Sequence, residues 1–446
     1  MNASQDIIAA IATPAGRGGV GVVRISGKSL ADLAHTLTQK TLNPRQATVA
    51  TFRDHDGSII DQGLALFFAA PQSYTGEDVI ELQGHGGSAV MQALLKRCLS
   101  LGCRLARPGE FTERAYLNNK LDLAEAEAVA DLIDAASESA VKSAARSLSG
   151  EFSSAVHALV ARVTELRMHV EACIDFPEEE IDPADREAQN TKLVDIRALL
   201  AILARNAKQG AVLRDGLTVA LIGRPNVGKS SILNRLAGED VAIVTPIAGT
   251  TRDQVRATIH LDGVPIHLID TAGLRETDDT VEKIGIQRTW DAVQKAGAAL
   301  LIVESGEINE MGRDEAAIAA QLPAKLPTAW VYNKIDLDEV TKYPDAANTL
   351  FVSALTGEGV DALRLWLLAV AGWHPTGEGV FMARERHLTA LNVAREHLEA
   401  SAEHDTQYDL FAEELRLAQM ALSSITGEFT PDDLLGEIFG KFCIGK

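Results

Sequence analysis

The chain has 446 residues, enough for about three domains of ordinary size, and 46% of them are apolar. That length and composition exclude a small disulfide-stapled protein and a fibrous protein, and they do not favour disorder. Asp and Glu number 62 against 42 Lys and Arg, a net charge of −20, which disfavours broad coating of a nucleic acid unless basic residues are clustered locally.

Cysteine use and the lack of long apolar segments bear on the compartment. Cys98, Cys103, Cys173 and Cys443 lie too far apart for a Cys-x-x-Cys metal pair, and so few cysteines fit a reducing compartment. We therefore expect neither disulfides nor zinc. The apolar stretch near the N-terminus is short and a later one contains Arg364, so we expect a soluble, cytoplasmic protein without a membrane segment.

The first 120 residues mix short β-like runs with glycine-rich turns. The runs are VGVVRISG at 20–27, IIDQGLALFF at 59–68 and DVIELQGHGG at 78–87. This pattern predicts an α+β domain over residues 1–120.

The sequence pattern from residue 121 onward is typical of long helices. Between 121 and 172 the only glycine is Gly150, proline is absent, and apolar residues such as Val129 and Leu132 recur at helical spacing. A further amphipathic run stops near Gly210. We predict the first part of an all-α helical domain over 121–212.

Apolar strands then alternate with helical segments, which is typical of a parallel sheet flanked by helices. The strands are LTVALIG at 217–223, IHLID at 266–270, ALLIVE at 299–304, AWVYNK at 329–334 and LFVSA at 350–354. Because the helical pattern resumes afterwards, we predict an α/β domain at 213–376 inserted into one helical domain, whose second part is 377–446.

A phosphate-binding motif lies between a buried strand and a helix. GRPNVGKS at 223–230 fits G-x-x-x-x-G-K-[ST], in which backbone N–H groups wrap the phosphates. Lys229 would reach the outer phosphates and the Ser230 hydroxyl would bind Mg²⁺. Asp270 begins DTAG at the end of a later strand, where a carboxylate can hold the metal through water and the Gly273 N–H can sense the last phosphate.

The base is selected by NKID at 333–336 and by SAL at 353–355. The Asp336 carboxylate can accept both the ring N–H and the amine of guanine, whereas adenine would leave it unpaired. We therefore predict GTP. The predicted nucleotide-binding residues are Asn226, Val227, Gly228, Lys229, Ser230, Ser231, Thr245, Pro246, Ile247, Ala248, Gly249, Thr250, Thr251, Asp270, Thr271, Ala272, Gly273, Asn333, Lys334, Asp336, Ser353, Ala354 and Leu355.

Together with GTTRD at 249–253, these motifs resemble the translation-factor-related GTPases. That resemblance implies that Thr251 closes on Mg²⁺. Ras-like members carry a water-orienting glutamine after DTAG, but here that position is Leu274, which neither donates nor accepts a hydrogen bond. Glu282 is the nearest carboxylate that could take over, although a solvated surface role fits its position equally well.

Transition-state charge also needs a partner. Arg252 and Arg275 lie nearby in sequence, and neither is identifiable as an internal arginine finger. The side-chain carbonyl of Asn226 could instead hold a monovalent cation against the phosphates.

The remaining motifs resemble the MnmE family of tRNA modification GTPases, also called TrmE, from end to end of the chain. They are GRGGV at 16–20, RISG at 24–27, YTGED at 74–78, ELQGHGG at 81–87, RPGEF at 107–111, KLD at 120–122 and FCIGK at 442–446.

The family resemblance implies a cytoplasmic GTPase that forms a homodimer through its N-terminal domains. It implies a heterotetramer with the flavoprotein MnmG, with FAD on that partner only, and an aminomethyl or carboxymethylaminomethyl group installed at C5 of the wobble uridine of certain tRNAs. The one-carbon carrier would be 5-formyl- or 5,10-methylene-tetrahydrofolate, bound by Arg24, Glu81, Lys120 and Lys446. Without the resemblance, each of these four residues fits a surface ion pair.

The resemblance also implies that the GTPase domains dimerise in a potassium-dependent way. The ion would be held by Asn226, Thr245, Ile247 and Thr250. Mg²⁺ would be held by Ser230 and Thr251, and Glu282 would be the catalytic carboxylate. GTP hydrolysis would drive the opening and closing of the paired domains. At −20 the chain is a poor tRNA binder alone, so MnmG would supply most phosphate contacts.

Cys443 has two interpretations. A lone cysteine is commonly a small buried hydrophobe. Alternatively, Gly445 and the ammonium of Lys446 could favour a thiolate, and the family resemblance implies that this tail lies toward the folate pocket, where a thiol could assist one-carbon transfer.

Two other functions are compatible with the motifs. A GTP-dependent switch in ribosome assembly would leave the N-terminal glycine blocks unexplained. A folate-dependent enzyme acting on small molecules would make GTP hydrolysis incidental.

Overall fold

The computed structural model describes residues 6–175, 183–238, 257–270, 290, 293–307, 318–337, 348–374, 379–404, 406–428 and 432–445. The chain divides into two compact units, one of residues 1–130, 147–196 and 393–446, and one of residues 131–146 and 197–392.

The first unit contains a six-stranded sheet. Its strands are β1 (Ile8–Ile11), β2 (Gly18–Gly27), β3 (Thr48–Arg53), β4 (Ile59–Phe68), β5 (Asp78–Gly86) and β6 (Arg104–Leu105). They lie in the order β3-β4-β5-β2-β1-β6, and every pair is antiparallel except β1 with β6. The predicted strands at 20–27, 59–68 and 78–87 are confirmed as β2, β4 and β5.

Two helices, α1 (Ala31–Thr38) and α2 (Ser88–Ser100), pack on this sheet. Leu37 of α1 and Leu94 of α2 are buried with the strand residues Ile25 and Leu82 in one core. The core faces of these strands alternate with exposed or half-exposed positions, as expected for a sheet covered on one side. A third helix, α3 (Glu110–Leu117), follows β6.

The alanine-rich stretch forms the helices that its spacing predicts. They are α4 (Leu123–Asp134), α5 (Glu138–Leu148), α6 (Glu151–Asp175) and α7 (Pro183–Asp215). Gly150 adopts a left-handed φ of 81° between α5 and α6, a conformation that ends helices readily when the residue is glycine.

The second unit contains the other six-stranded sheet. Its strands are β7 (Leu217–Ile222), β8 (Ala257–Leu261), β9 (Val264–Asp270), β10 (Ala298–Glu304), β11 (Thr328–Asn333) and β12 (Thr349–Val352). They lie in the order β12-β11-β10-β7-β9-β8, all parallel except β8 with β9. The five predicted strands of the α/β domain are confirmed.

Helices α8 (Lys229–Ala237) and α9 (Val360–Ala371) pack on this parallel sheet. Successive residues of β7 enter different cores: Leu221 packs with Ile232 and Leu363, whereas Ile222 packs with Val293. Burial on both faces is what a parallel sheet requires, because helices cover both.

Three helices follow in chain order: α10 (Glu385–Glu403), α11 (Tyr408–Thr426) and α12 (Asp432–Gly440). With the α+β sheet, the helices and the parallel sheet in place, the predicted fold class is confirmed. None of the described helices combines the length and apolar character needed to cross a bilayer.

Candidate functional site

The phosphate loop occupies residues 223–228, between the end of β7 and the start of α8. Lys229 folds back over it and donates from Nζ to the carbonyl oxygens of Gly223 at 2.5 Å and Arg224 at 2.9 Å. Val227 is buried, whereas Asn226 and Ser230 are exposed. The loop and the first turn of α8 therefore present an amide, a hydroxyl and an ammonium at the carboxyl end of a central parallel strand, where ligands bind in such sheets.

Gly228 is fixed by its surroundings as well as by its backbone. Its φ of 94° is left-handed, and a Cβ there would lie 2.1 Å from Nδ2 of Asn333. Only glycine fits both conditions without displacing the neighbour.

Asn333 is nearly fully buried, at 1% exposure. Its Nδ2 donates to the carbonyl of Val227 at 2.8 Å, and its Oδ1 accepts from the N–H of Ala354 at 3.1 Å. The predicted nucleotide residue thus ties the phosphate loop to the loop at 353–355. The observed contacts of Asn333 are therefore with these two loops.

The residues predicted to recognise the base lie at the ends of β11 and β12. Asp336 is exposed, and its Oδ1 accepts a 2.5 Å hydrogen bond from the Ser353 hydroxyl. Lys334 pairs with Glu304 at 2.9 Å. Ser353 therefore fixes one oxygen of the carboxylate that is predicted to accept from guanine.

Arg235 of α8 adds a contact that sequence reasoning missed. Its guanidinium donates to the carbonyl of Leu355 at 3.0 Å, which ties α8 to the loop at 353–355. The Leu355 side chain is 78% exposed, so its backbone is the part that is held. No motif signals this contact, because the two residues lie 120 positions apart.

Several predicted site residues lie outside the described residues: Thr245, Pro246, Ile247, Ala248, Gly249, Thr250, Thr251, Thr271, Ala272, Gly273, Glu282 and Lys446. Asp270 ends β9 as predicted.

The N-terminal sheet brings two predicted folate residues together. Arg24 on β2 and Glu81 on β5 are register partners, and Arg24 Nε donates to Glu81 Oε1 at 3.0 Å. The Arg24 guanidinium carbon also lies 5.5 Å from the ring centroid of Tyr74 and 5.8 Å from that of Phe111. Both side chains of the pair stay partly exposed, at 24% for Arg24 and 18% for Glu81.

An open cleft of about 520 Å³ lies beside this pair. It is lined by Arg45, Phe68, Gln72, Ser73, Tyr74 and Lys120. Tyr74 is shared with the Arg24 contact, and burial raises the pKa of its phenol despite a hydrogen bond to Thr112 and the charge of Arg24. The cleft therefore places Lys120, a third predicted folate residue, near the Arg24–Glu81 pair.

The segment that carries Cys443 is bound to the N-terminal sheet. Ile444 forms a β-bridge with Pro108, and the N–H of Gly109 donates to the carbonyl of Cys443 at 3.3 Å. Gly445 packs so closely that a Cβ there would lie 2.3 Å from the carbonyl oxygen of Ile11. The Cys443 side chain is exposed, which excludes the buried-hydrophobe interpretation.

The RPGEF motif contributes an ion-pair network that the sequence did not reveal. Glu110 is 2% exposed and accepts from Arg104 at 2.7 Å and from Arg114 at 3.3 Å. Arg114 in turn donates to Glu77 at 2.8 Å. Burial opposes ionisation of Glu110, but hydrogen bonds from Arg104 and the backbone of Arg107, with the arginine charges, outweigh it and lower its pKa to about 2.

A phosphate loop that follows a parallel strand, with base-recognition loops at neighbouring strand ends, defines a P-loop GTPase. Two family models match the chain: "GTP-binding protein TrmE N-terminus" over residues 7–120 and "MnmE helical domain" over residues 123–443. The tRNA modification GTPase MnmE of Nitrosospira multiformis is 56% identical, over 99% of this chain and 99% of its own. The protein of that name from Bordetella petrii is 57% identical, over 98% of each chain.

The chain belongs to the MnmE family of tRNA modification GTPases. The predicted GTP-hydrolase activity in tRNA modification is thereby confirmed. Among solved structures, Aquifex aeolicus Era bound to GDP.AlF4- is 26% identical with a TM-score of 0.28, over 41% of this chain and 66% of that one.

Proposed function

We propose that this chain is a potassium-activated GTPase that acts with MnmG at C5 of the wobble uridine of certain tRNAs. It would use a one-carbon unit carried by 5-formyl- or 5,10-methylene-tetrahydrofolate to build an aminomethyl or carboxymethylaminomethyl group. The observation that carries the proposal is the Arg24–Glu81 pair beside the Tyr74 cleft, in the same chain as the phosphate loop.

The chemistry of a reduced folate matches the N-terminal residues. A pterin presents an N–H and an amino group side by side, and the carboxylate of Glu81 can accept from both. The Tyr74 ring offers a flat apolar surface, and Arg45 and Lys120 at the cleft suit the anionic glutamate tail. Arg24 already orients the Glu81 carboxylate, so binding a ligand would cost little additional side-chain entropy at Glu81.

Exposed side chains in the phosphate loop and at the start of α8 support the proposed magnesium and potassium sites. The exposed Ser230 hydroxyl would hold Mg²⁺ together with Thr251, and the exposed Asn226 amide would hold K⁺ with oxygens of Thr245, Ile247 and Thr250. When bound, these ions supply positive charge against the developing charge on the phosphates.

The chain's own residues have separable tasks in GTP hydrolysis. Lys229 reaches the outer phosphates, Asp336 selects guanine, and Glu282 orients the attacking water in place of the absent glutamine. Leu274 cannot take that last task, since its side chain has no hydrogen-bonding atom.

The partner assignments follow from charge and family. A net charge of −20 disfavours tight tRNA binding by this chain alone, so MnmG would make most phosphate contacts. The chain would act in the cytoplasm as a homodimer within a heterotetramer, and GTP hydrolysis would drive the dimerisation and movement of its GTPase domains.

The potassium assignment is tested by GTP hydrolysis in K⁺ and in Na⁺. We expect the wild type to be faster in K⁺ and Asn226→Ala to lose that difference. The control is Asn234→Ala, which removes an exposed amide from α8 outside the phosphate loop and should keep the preference. Equal rates of the wild type in both salts would refute the potassium site.

The folate assignment is tested by titrating the full chain with 5-formyltetrahydrofolate. We expect binding by the wild type and a loss of about 2 kcal/mol in Glu81→Gln, which cannot accept from both pterin donors as a carboxylate does. No binding by the wild type would favour a ribosome-assembly switch. Normal wobble uridines in tRNA from cells lacking the protein would favour a small-molecule folate enzyme.

A further inference from the structure

The face of the N-terminal sheet that carries Arg24 and Glu81 lies opposite the packed helices. Glu81 on β5 is the register partner of Arg24 on β2 and of Leu66 on β4, so these three side chains share one face. Helices α1 and α2 pack with Ile25 and Leu82 on the other face. A ligand anchored at Glu81 therefore lies on the face that α1 and α2 leave uncovered.

The Tyr74 cleft begins next to this anchor. Phe68 lines the cleft and lies two residues beyond Leu66 on β4, so it shares the face of Glu81 about 7 Å further along the strand. Tyr74 lines the cleft as well, and its ring contacts the Arg24 guanidinium. A folate that runs from Glu81 into the cleft would therefore place its aminobenzoyl ring, which follows the pterin, beside these two aromatic rings.

Arg45 lies beyond β4, on the side of the cleft away from β5. Phe67 of β4 pairs with Ile80 of β5 along one strand edge. Along its other edge it bridges to Pro44 and accepts from the N–H of Arg45 at 2.7 Å. The backbone at Arg45 is therefore two strand spacings, about 10 Å, from β5. Its Nη2 donates to the carbonyl of Gln72 at 2.9 Å, which holds the guanidinium at the cleft.

The residues that line the cleft include two cations and no carboxylate. Arg45 and Lys120 are both exposed, and neither pairs with a carboxylate in the part of the chain that the structure describes. The Lys120 side chain lies against the turn that follows Tyr74, since its Cγ would be 3.3 Å from a Cβ at Gly76. In a chain of net charge −20, two unpaired cations at one cleft indicate an anionic ligand.

We propose that this cleft binds the γ-linked oligoglutamate tail of a folate, and that Arg45 makes the chain prefer the oligoglutamate to the monoglutamate. The proposal rests on the folate function proposed above. With the pterin at Glu81 and the aminobenzoyl ring beside Phe68, Lys120 pairs with the first glutamate. Each further glutamyl residue adds one carboxylate, and Arg45 on the outer side of β4 pairs with these.

The same sheet supplies a matched control. Arg53 ends β3, is exposed like Arg45, and also donates to a backbone carbonyl, that of Gly57 at 2.9 Å. It does not line the cleft. Arg53→Ala therefore removes an exposed guanidinium from the same sheet and leaves the cleft intact.

The test titrates the full chain with the monoglutamate and the triglutamate of 5-formyltetrahydrofolate at one ionic strength. We expect the wild type to bind the triglutamate at least about fivefold more tightly, because the added carboxylates pair with a cation at the cleft. Arg45→Ala should reduce this ratio to within about twofold, while its affinity for the monoglutamate stays within about twofold of the wild type. Arg53→Ala should keep the wild-type ratio.

Two further measurements separate charge recognition from a structural role. Arg45→Lys keeps the charge and loses the forked guanidinium, so it should keep part of the preference for the triglutamate. Raising NaCl from about 0.1 to 1 M should reduce the wild-type ratio, because salt screens exposed charges. If Arg45 only shaped the cleft, Arg45→Ala would weaken binding of both folates and the ratio would persist.

Equal binding of the two folates by the wild type would overturn the proposal, as would a preference that persists in Arg45→Ala. A loss of tRNA affinity in Arg45→Ala, with the folate ratio unchanged, would overturn it too and assign the cleft to a phosphate backbone. If the wild type binds neither folate, the proposed function itself fails and the role of Arg45 falls with it.

Discussion

The segments at 223–228 and 84–87 share a local plan, since each begins near the end of a strand, contains glycines and leads into a helix. Residues 223–228 separate β7 from α8, whereas Gly87 alone separates β5 from α2. The long loop leaves Asn226 and Ser230 exposed at the end of a parallel sheet. In the segment at 84–87, Gly84 lies within β5 and leaves room for the Asp61 carboxylate of the neighbouring strand. In both segments a glycine therefore marks the close approach of a neighbouring side chain, Asn333 at Gly228 and Asp61 at Gly84.

The largest effect should come from Lys229, the first residue of α8 directly after the long loop. Lys229→Ala should slow GTP hydrolysis by about 10²–10³-fold, because the ammonium stabilises charge that develops on the phosphates. Phosphate release under saturating GTP measures it. The control, Lys325→Ala, removes an exposed lysine from the same unit and should leave the rate unchanged. A Lys229→Ala rate close to that of the wild type would show that this loop does not hold the phosphates.

The next largest effect concerns stability of the N-terminal sheet. Glu110→Gln should lower the free energy of unfolding by about 3 kcal/mol, because it leaves Arg104 and Arg114 without their shared buried charge. Denaturant unfolding of the full chain, followed by a probe in this unit, measures it. Glu113→Gln, which pairs with the exposed Arg107, should cost less than about 1 kcal/mol.

The same carboxylate sets a pH dependence. The pKa of Glu110 is about 2 in the folded chain against an ordinary value of 4.5. A lowered pKa stabilises the fold fully above the ordinary value, and the contribution is lost as pH falls from about 4.5 through about 2. Acid titration of unfolding should show a shallower loss over this window in Glu110→Gln than in the wild type. Equal slopes would contradict the lowered pKa.

Two glycine substitutions should have different effects in the phosphate loop and in the segment at 84–87. Gly228→Ala should weaken nucleotide binding by about 2 kcal/mol, because the left-handed φ is strained and the new Cβ meets Asn333. Gly84→Ala should leave nucleotide affinity unchanged. It should lower the free energy of unfolding of the N-terminal sheet by about 1–2 kcal/mol, because the new Cβ meets Asp61. Fluorescent-nucleotide titration and thermal unfolding of both variants measure this. Weaker nucleotide binding in Gly84→Ala, with unchanged binding in Gly228→Ala, would contradict the assignment of nucleotide binding to the loop at 223–228.

The smallest effect is expected at Cys443. Cys443→Ser should change the free energy of unfolding by less than about 0.5 kcal/mol, because the side chain is exposed and the backbone makes the contacts. Thermal unfolding measures stability, and wobble-uridine analysis shows whether the thiol takes part in the modification. A large loss of stability would indicate contacts of the thiol itself.

Sequence reasoning succeeded where one short segment carries its own chemistry. The loop at 223–230 and the strand ends at 333–336 and 353–355 were placed correctly because strand, loop and helix signals adjoin each other in sequence. Strand β3 was not predicted, since TVATFR alternates apolar with polar residues and lacks the continuous apolar run that marked the predicted strands.

Contacts between segments that are distant in sequence could not be predicted from the sequence. The Glu110 network draws on Glu77, Arg104 and Arg114, whose pairing depends on how β5, β6 and α3 pack. The Asp61–His85 pair likewise joins two residues 24 positions apart, and it depends on how β4 and β5 lie next to each other. A motif such as RPGEF or GHGG shows that a segment is unusual, and only the packed structure shows what it contacts.

The β-bridge between Ile444 and Pro108 joins segments that leave the ribosome at very different times. At 5–20 residues per second, the last strand of the first sheet would emerge tens of seconds before its final neighbour. During synthesis the surface around Ile11 and Gly109 must therefore wait uncovered, a period in which a chaperone or a second nascent chain could occupy it.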